Sequence, residues 1–291
     1  MRAAGGASGS ARVTDPAPDP MATARTHAQA LVEVTGVVAV VVGGSHASGT
    51  ADATSDLDLG VYYRQPLDVP ALAHLATTLT GRPTEVTAPG GWGPWVDGGA
   101  WLSTDEGPVD WILRDLGRVT HEWERAARGE FGLYHQPGHP FGFLSTTYVG
   151  ELATAVVVAD PDGEVRRLQQ AAGRYPQPLR EALVGWLWEA EFSLAVARKA
   201  TGRGDAAYVA MCVLRAVGIM AHALHARAGR WVLNEKGLVA AAGRLPGAPP
   251  EFAARAQALC GRIGTTPAEL TAALDDADRL LADVRGDVRG D

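Results

Sequence analysis

The run Val37-Val38-Ala39-Val40-Val41-Val42, followed at once by Gly43-Gly44-Ser45, constrains this chain more than any other stretch. An unbroken, mostly β-branched run of this length predicts a strand buried on both faces. The two glycines that end it let the backbone approach another group with no Cβ in the way. Ser45 stands where a short helix would take its N-cap. A second strand is predicted over residues 55–63, where Leu57 and Leu59 alternate with Asp56 and Asp58. Period-two alternation puts both carboxylates on one face of that strand and both leucines on the other. The chain must therefore build a sheet with acid on one side and apolar side chains on the other.

The remaining elements can be placed around that pair. A helical pattern begins at Met21 and stops before Gly36. Residues 66–80 read as a helix, with Asp68 ahead of its first turn and Gly81 at its end. The segment from Ala88 to Trp101 is too rich in glycine for a helix and reads as a loop. It leads into a hairpin over 100–104 and 108–113, turned at Asp105-Glu106-Gly107. Residues 116–128 are helical in pattern, and 130–146 are broken by Gly and Pro into loop. From Thr147 helical patterns take over, at 149–158, 163–172, 176–201, 205–228, 234–244, 250–261 and 267–285. The predicted fold is α+β: a small mixed sheet flanked by helices in residues 21–145, then an all-α helical bundle in 146–291. Residues 1–20, small, polar and rich in Pro and Gly, are predicted to be a disordered tail, with Met21 as an alternative start.

Charge and cysteine usage narrow the function. A formal net charge of −7 does not suit a protein whose main work is coating nucleic acid, so no stable nucleic-acid binding is expected. It still admits a nucleotide whose charge is neutralised by bound cations. Cys212 and Cys260 lie far apart in apolar helical patterns and read as buried thiols, not as a disulfide or zinc site. No apolar run reads as approaching the roughly 18 residues of a membrane span. The N-terminus also lacks the apolar segment of a signal peptide. A cytoplasmic protein with no membrane partner is expected.

The acids carry the chemistry. Asp56 and Asp58 repel each other unless a cation lies between them, and Mg²⁺, a hard ion with oxygen ligands, relieves that repulsion. Two-metal phosphoryl chemistry takes a further carboxylate from a neighbouring strand. Asp110, set in Val109-Asp110-Trp111-Ile112-Leu113, is the candidate, because an aspartate in a buried strand is costly unless paired or metal-bound. Gly43, Gly44 and Ser45 would hold a phosphate at a helix N-terminus.

The Gly44-Ser45 turn, the ten residues after it and the strand Asp56-Leu57-Asp58 resemble the signature of the polymerase-β-type nucleotidyltransferase superfamily. The overall layout is similar to its small-molecule branch, the aminoglycoside- and lincosamide-type nucleotidyltransferases. Those pair such a core with a C-terminal helical bundle and bind the acceptor in the cleft between. The resemblance implies a Mg²⁺-dependent, two-metal transfer of a nucleoside monophosphate, AMP from ATP or the equivalent from another nucleoside triphosphate, to a hydroxylated acceptor with release of pyrophosphate. It puts the metal aspartates on Asp56 and Asp58 and the third acidic position on Asp110. Many members carry Arg-Gly where this chain has Ser48-Gly49, so that charge is missing here.

Other residues have two readings each. Glu189 and Glu191 are too close along an apolar helix to share a face, so at most one points inward. An inward Glu191 would serve as general base on the acceptor hydroxyl, a role for which Asp110 competes. Lys236, in Asn234-Glu235-Lys236-Gly237 at a predicted helix start, would reach a triphosphate or stand solvated. His46 would touch phosphate or serve its turn. His135 and His139 read as loop packing or a contact with the substrate cleft, and His222 with His225 as a satisfied helix-face pair. Trp92, Trp95 and Trp101 would form a ligand wall or a cap over the sheet. Two other functions use the same residues. An antitoxin-like or protein-adenylylating partner of a helical toxin is one, and the large fused helical half argues against it. A serine hydrolase using Ser45 is the other. It has Ala47 where a nucleophile elbow has its last glycine, and it leaves Asp56 and Asp58 unexplained.

Overall fold

The computed structural model describes residues 19–49, 51–52 and 55–286, so the tail expected over residues 1–18 lies outside the described residues. Asp19 and Pro20 are not tail: the Asp19 side chain accepts the Met21 amide and opens helix α1 (Pro20–Leu31). Strand β1 (Val37–Val42) coincides with the β-branched run. Helix α2 (Gly44–Ser48) follows, with Gly43, not Ser45, at its N-cap. Strand β2 is Leu57–Tyr63, and helix α3 (Val69–Thr80) is opened by the Asp68 carboxylate and closed by left-handed Gly81, as the sequence predicts. The hairpin comprises β3 (Gly99–Thr104) and β4 (Gly107–Asp115), and Asp115 caps α4 (Leu116–Ala127).

Two short strands, β5 (Leu133–Tyr134) and β6 (Phe143–Leu144), pair with each other inside the Gly/Pro-rich segment. Next come α5 (Thr146–Thr154) and β7 (Val156–Ala159). The sheet order is β3-β4-β2-β1-β7, with β2 and β4 parallel and the other neighbours antiparallel. Strand β7 corrects the helix predicted over 149–158, and the core sheet takes its fifth strand from beyond residue 145. The cause is local and tertiary at once: Val156-Val157-Val158 is β-branched, and β1 had an open edge to pair with.

Alternation sorts the sheet into two faces. Val40, Val42, Leu57, Leu59, Val61, Val109, Trp111 and Leu113 pack under α1 and α3. His27 of α1 accepts the Trp111 indole N–H at 3.1 Å, and burial pushes its imidazole pKa down. Ala39, Val41 and Tyr62 face the other way, towards α4, α5 and the helices that follow.

Those helices are α6 (Glu164–Ala172), α7 (Gln177–Gly185), α8 (Leu187–Thr201), α9 (Ala206–Arg227), α10 (Leu238–Ala242), α11 (Phe252–Gly261) and α12 (Pro267–Gly286). The single helix predicted over 176–201 breaks between Gly185 and Leu187. The one predicted over 234–244 starts later, because the Asn234 side chain accepts the Lys236 amide and left-handed Gly237 ends that turn. The expectation that no run approaches membrane-spanning length fails at α9, which by length and composition alone is long and apolar enough. Two-thirds of that stretch (67%) is buried within the molecule, so α9 is the core helix of the bundle. Cys212 is buried there, and Cys260 is half-buried in α11.

Candidate active site

The face of the sheet that carries Asp58 also carries Gly60 and Tyr62 from β2, and Asp110, Ile112 and Arg114 from β4. Parallel pairing sets Asp58 directly opposite Asp110 and Tyr62 opposite Arg114. Gly43 and Gly44 close one side of the resulting cleft, and Glu151, Leu233 and Asn234 close another. The turn is tied to β2 by the Gly43 amide, which donates to the Asp58 carbonyl at 2.9 Å. Gly44 has φ +56°, and a Cβ there would stand 1.9 Å from Asp58 Oδ2. Only glycine lets that carboxylate lie against the turn.

The acids disturb one another. Burial raises the Asp58 pKa, and the charges of Asp56 and Glu151 raise it further, while His46 and Lys236 pull it back. Burial, then Asp58, then Asp56, push the Asp110 carboxyl up to about 6. Asp56, expected on the strand, is exposed and lies one residue before β2 begins. Among the described residues no three His, Cys, Asp or Glu side chains converge as a ready-made metal cluster. The donor set is still the one a hard divalent ion takes: two opposed carboxylates with a third two residues away.

The other end of this face is fully paired. Arg114 is 5% exposed and forks onto Glu151, with Nε to Oε2 at 2.7 Å and Nη2 to Oε1 at 2.9 Å. This pair ties β4 to α5 and puts Glu151 on the cleft wall. Sequence reading missed both residues. Their signal was an arginine in register with Asp110 along one strand, and an acid inside the apolar run Tyr148-Val149-Gly150-Glu151-Leu152.

Glu235 is a third missed residue. Its carboxylate accepts the Phe141 and Gly142 amides at 3.3 and 3.1 Å and lies 3.7 Å from His139 Nδ1. It thereby anchors the turn that carries Asn234 and Lys236. Lys236 is exposed, yet its charge is felt at Asp58, so the predicted lysine is brought to the acids.

Glu191 is not. The helix turns it outward, where it is exposed and ion-paired with Arg285 of α12 at 2.8 Å. That arginine holds its carboxyl below the ordinary glutamate value. Glu189 is the inward member, and it binds Arg215 and the Trp186 indole. Two residues along a helix amount to more than half a turn, so the two acids serve opposite sides of α8.

The tryptophans divide. Trp95 stacks on Tyr134 at 4.2 Å, and Gln136 accepts its amide, so it belongs to the packing that joins loop and bundle. Trp92 and Trp101 stack on each other at 4.3 Å. Trp101 pairs with Asp110 across β3 and β4, and it is 67% exposed on the acid face. His222 and His225, three residues apart, lie on the buried side of α9. Phe141 covers His222, and burial pushes that imidazole down to about 3. His46 lies 3.5 Å from the Ser55 carbonyl, which ties α2 to the approach to β2.

Residues 24–90 match the family model of the nucleotidyltransferase domain. The match takes in Gly43 to Ser45, Asp56 and Asp58 and ends before Asp110. No curated protein matches the chain. Among solved structures, a nucleotidyltransferase-like protein from Exiguobacterium sibiricum 255-15 aligns over 92% of this chain and 78% of its own, at 10% identity and a TM-score of 0.47.

Proposed function

We propose, for a chain that carries a nucleotidyltransferase domain of the polymerase-β type in residues 24–90, the transfer of a nucleoside monophosphate to a hydroxylated acceptor. ATP is the first choice of donor. The observation that carries this reading is the opposition of Asp58 and Asp110 on one face beside Gly44. Oxygen donors so placed repel one another in the free protein and are at ease only around cations.

Asp56, Asp58 and Asp110 would hold Mg²⁺, which when bound draws charge from the phosphate oxygens and the leaving pyrophosphate. The protein's own groups do the rest. The backbone at Gly43-Gly44-Ser45 would lie along the phosphates, and Lys236 would add a positive charge at the cleft edge. Trp101, on the same face as Asp110, would offer a flat apolar surface to a base or a sugar. The acceptor oxygen bonds to the α-phosphorus as the bond to pyrophosphate breaks, and the hydroxyl proton leaves to a base. The serine hydrolase reading of Ser45 uses none of the three aspartates.

The test is transfer of label from α-labelled ATP, GTP, CTP and UTP to a panel of hydroxylated acceptors, aminoglycosides included, with and without Mg²⁺. Metal-dependent labelling of one acceptor, with stoichiometric pyrophosphate, is expected. A protein that binds no triphosphate in the presence of Mg²⁺ would sink the reading.

A further inference from the structure

The outer side of the α8–α9 pair is apolar where a solvated helix should be charged. Trp188 and Phe192, one turn apart on α8, are 61% and 59% exposed; Met211 and Leu214 on α9 are 61% and 51% exposed. Between 206 and 214 the exposed positions of α9 are Ala207, Tyr208, Met211 and Leu214, with no charge among them. Spacings of three and four residues place these on one line along the helix. The polar edge of α8 is engaged elsewhere, since Glu191 and Arg198 pair with Arg285, Asp275 and Asp278 of α12. Among the described residues nothing covers the strip.

We propose that a second copy of this chain covers it, α8 and α9 packing on their twins about a twofold axis. The strip is rich in aromatics and methionine, with its charges, Lys199 and Arg203, confined to the Tyr208 end, the arrangement of an apolar interface core with a polar rim. At roughly 100 Å² for each large side chain left open, it amounts to about 500 Å² per copy, so two copies bury about 1,000 Å² before any rim is counted, close to what a specific interface needs. A twofold dimer requires only one patch that complements itself. Other occupants fit less well. A membrane-binding face would be flanked by basic residues along its length, whereas here Lys199 and Arg203 stand only at the Tyr208 end, with Asp205 beside them, and the charged pair beside Phe192, Glu189 with Arg215, is neutral in sum. A small acceptor takes a concave site, and the strip lies on the outer surface of two neighbouring helices.

The inference goes beyond the transfer reading, and none of its readouts uses activity. Sedimentation velocity of the full chain at about 10 µM, where a dimer of Kd ~1 µM is mostly formed, is expected to give twice the monomer mass of 30.4 kDa. The double substitution Met211→Glu, Leu214→Glu is expected to weaken self-association at least a hundredfold with the circular dichroism spectrum unchanged. In case that variant folds poorly, Ala207→Cys in a Cys212→Ala, Cys260→Ala background gives a second measurement. A short bis-maleimide is expected to link two copies covalently, because the strip is brought against itself. A monomeric wild type, whether or not it binds vesicles or another protein, overturns the proposal. So does a dimer that survives the double substitution, or one whose copies stay unlinked when they carry Ala207→Cys.

Discussion

Asp110 and Arg114 lie on the same face of the same strand and are treated in opposite ways. Arg114 is buried and gripped by both oxygens of Glu151. Asp110 faces two more acids, and its carboxyl is pushed up to about 6. A protein shaped only by stability would neutralise both. One end of the face is neutralised within the protein, and at the other the acids are left facing one another. The completed end has a role in this, since the Arg114–Glu151 pair fixes α5 against the sheet and so holds the cleft wall in place.

The comparison breaks first at the acid end. Asp58→Asn removes an oxygen donor and is expected to lower metal-dependent transfer by about a thousandfold, some 4 kcal/mol of barrier, with the circular dichroism spectrum unchanged. A variant that keeps full activity would remove Asp58 from the site. At the paired end the loss should be in stability instead. Glu151→Ala leaves a buried guanidinium without its partner and is expected to cost about 3 kcal/mol in a denaturant titration. If the cost is near zero, Arg114 has found water or another acceptor.

Smaller effects sharpen the contrast. Gly44→Ala puts a methyl group onto the Asp58 carboxylate and an L-residue at φ +56°. About 2 kcal/mol of stability should go, read as a lower midpoint in urea, together with weaker Mg²⁺-dependent triphosphate binding by calorimetry. Asp110→Asn should do the reverse to stability. The folded pKa of Asp110 stands near 6 against an ordinary 3.8, so the folded form holds its proton more tightly. The stability that Asp110 contributes is therefore greatest below about pH 4 and falls as pH rises towards 6. With chelator present at pH 8, Asp110→Asn is expected to be more stable than wild type by ~1 kcal/mol, after allowance for screening at a half-exposed site. Melting curves from pH 4.5 to 8 check both the sign and the window. An identical pH profile in the variant would show that folding does not raise the Asp110 pKa.

How much of this was legible depended on how local its cause is. Strand β1 and the caps of α3 match their predicted positions, because a β-branched run, an Asp at an N-cap and a Gly in the left-handed region act through their own backbone. Asp58 on β2 was legible for the same reason: alternation needs no partner. Strand β7 was not, since Val156-Val157-Val158 becomes a strand by pairing with an edge more than a hundred residues earlier. Nor could the choice between Glu189 and Glu191 be read from spacing. It turned on Arg215 and Arg285, residues of two other helices.

The sequence by itself determined that Asp58 stands on a strand beyond a Gly-Gly-Ser turn, with Asp56 just ahead of it, because period-two geometry and glycine's freedom are properties of the chain at those positions. Only the tertiary structure decided that Asp110 comes to lie opposite Asp58, that Arg114 finds Glu151, and that Glu235 brings Lys236 within reach of the acids. Those pairings join residues distant along the chain, and their energies appear only once a register, a helix face and a loop have been chosen together.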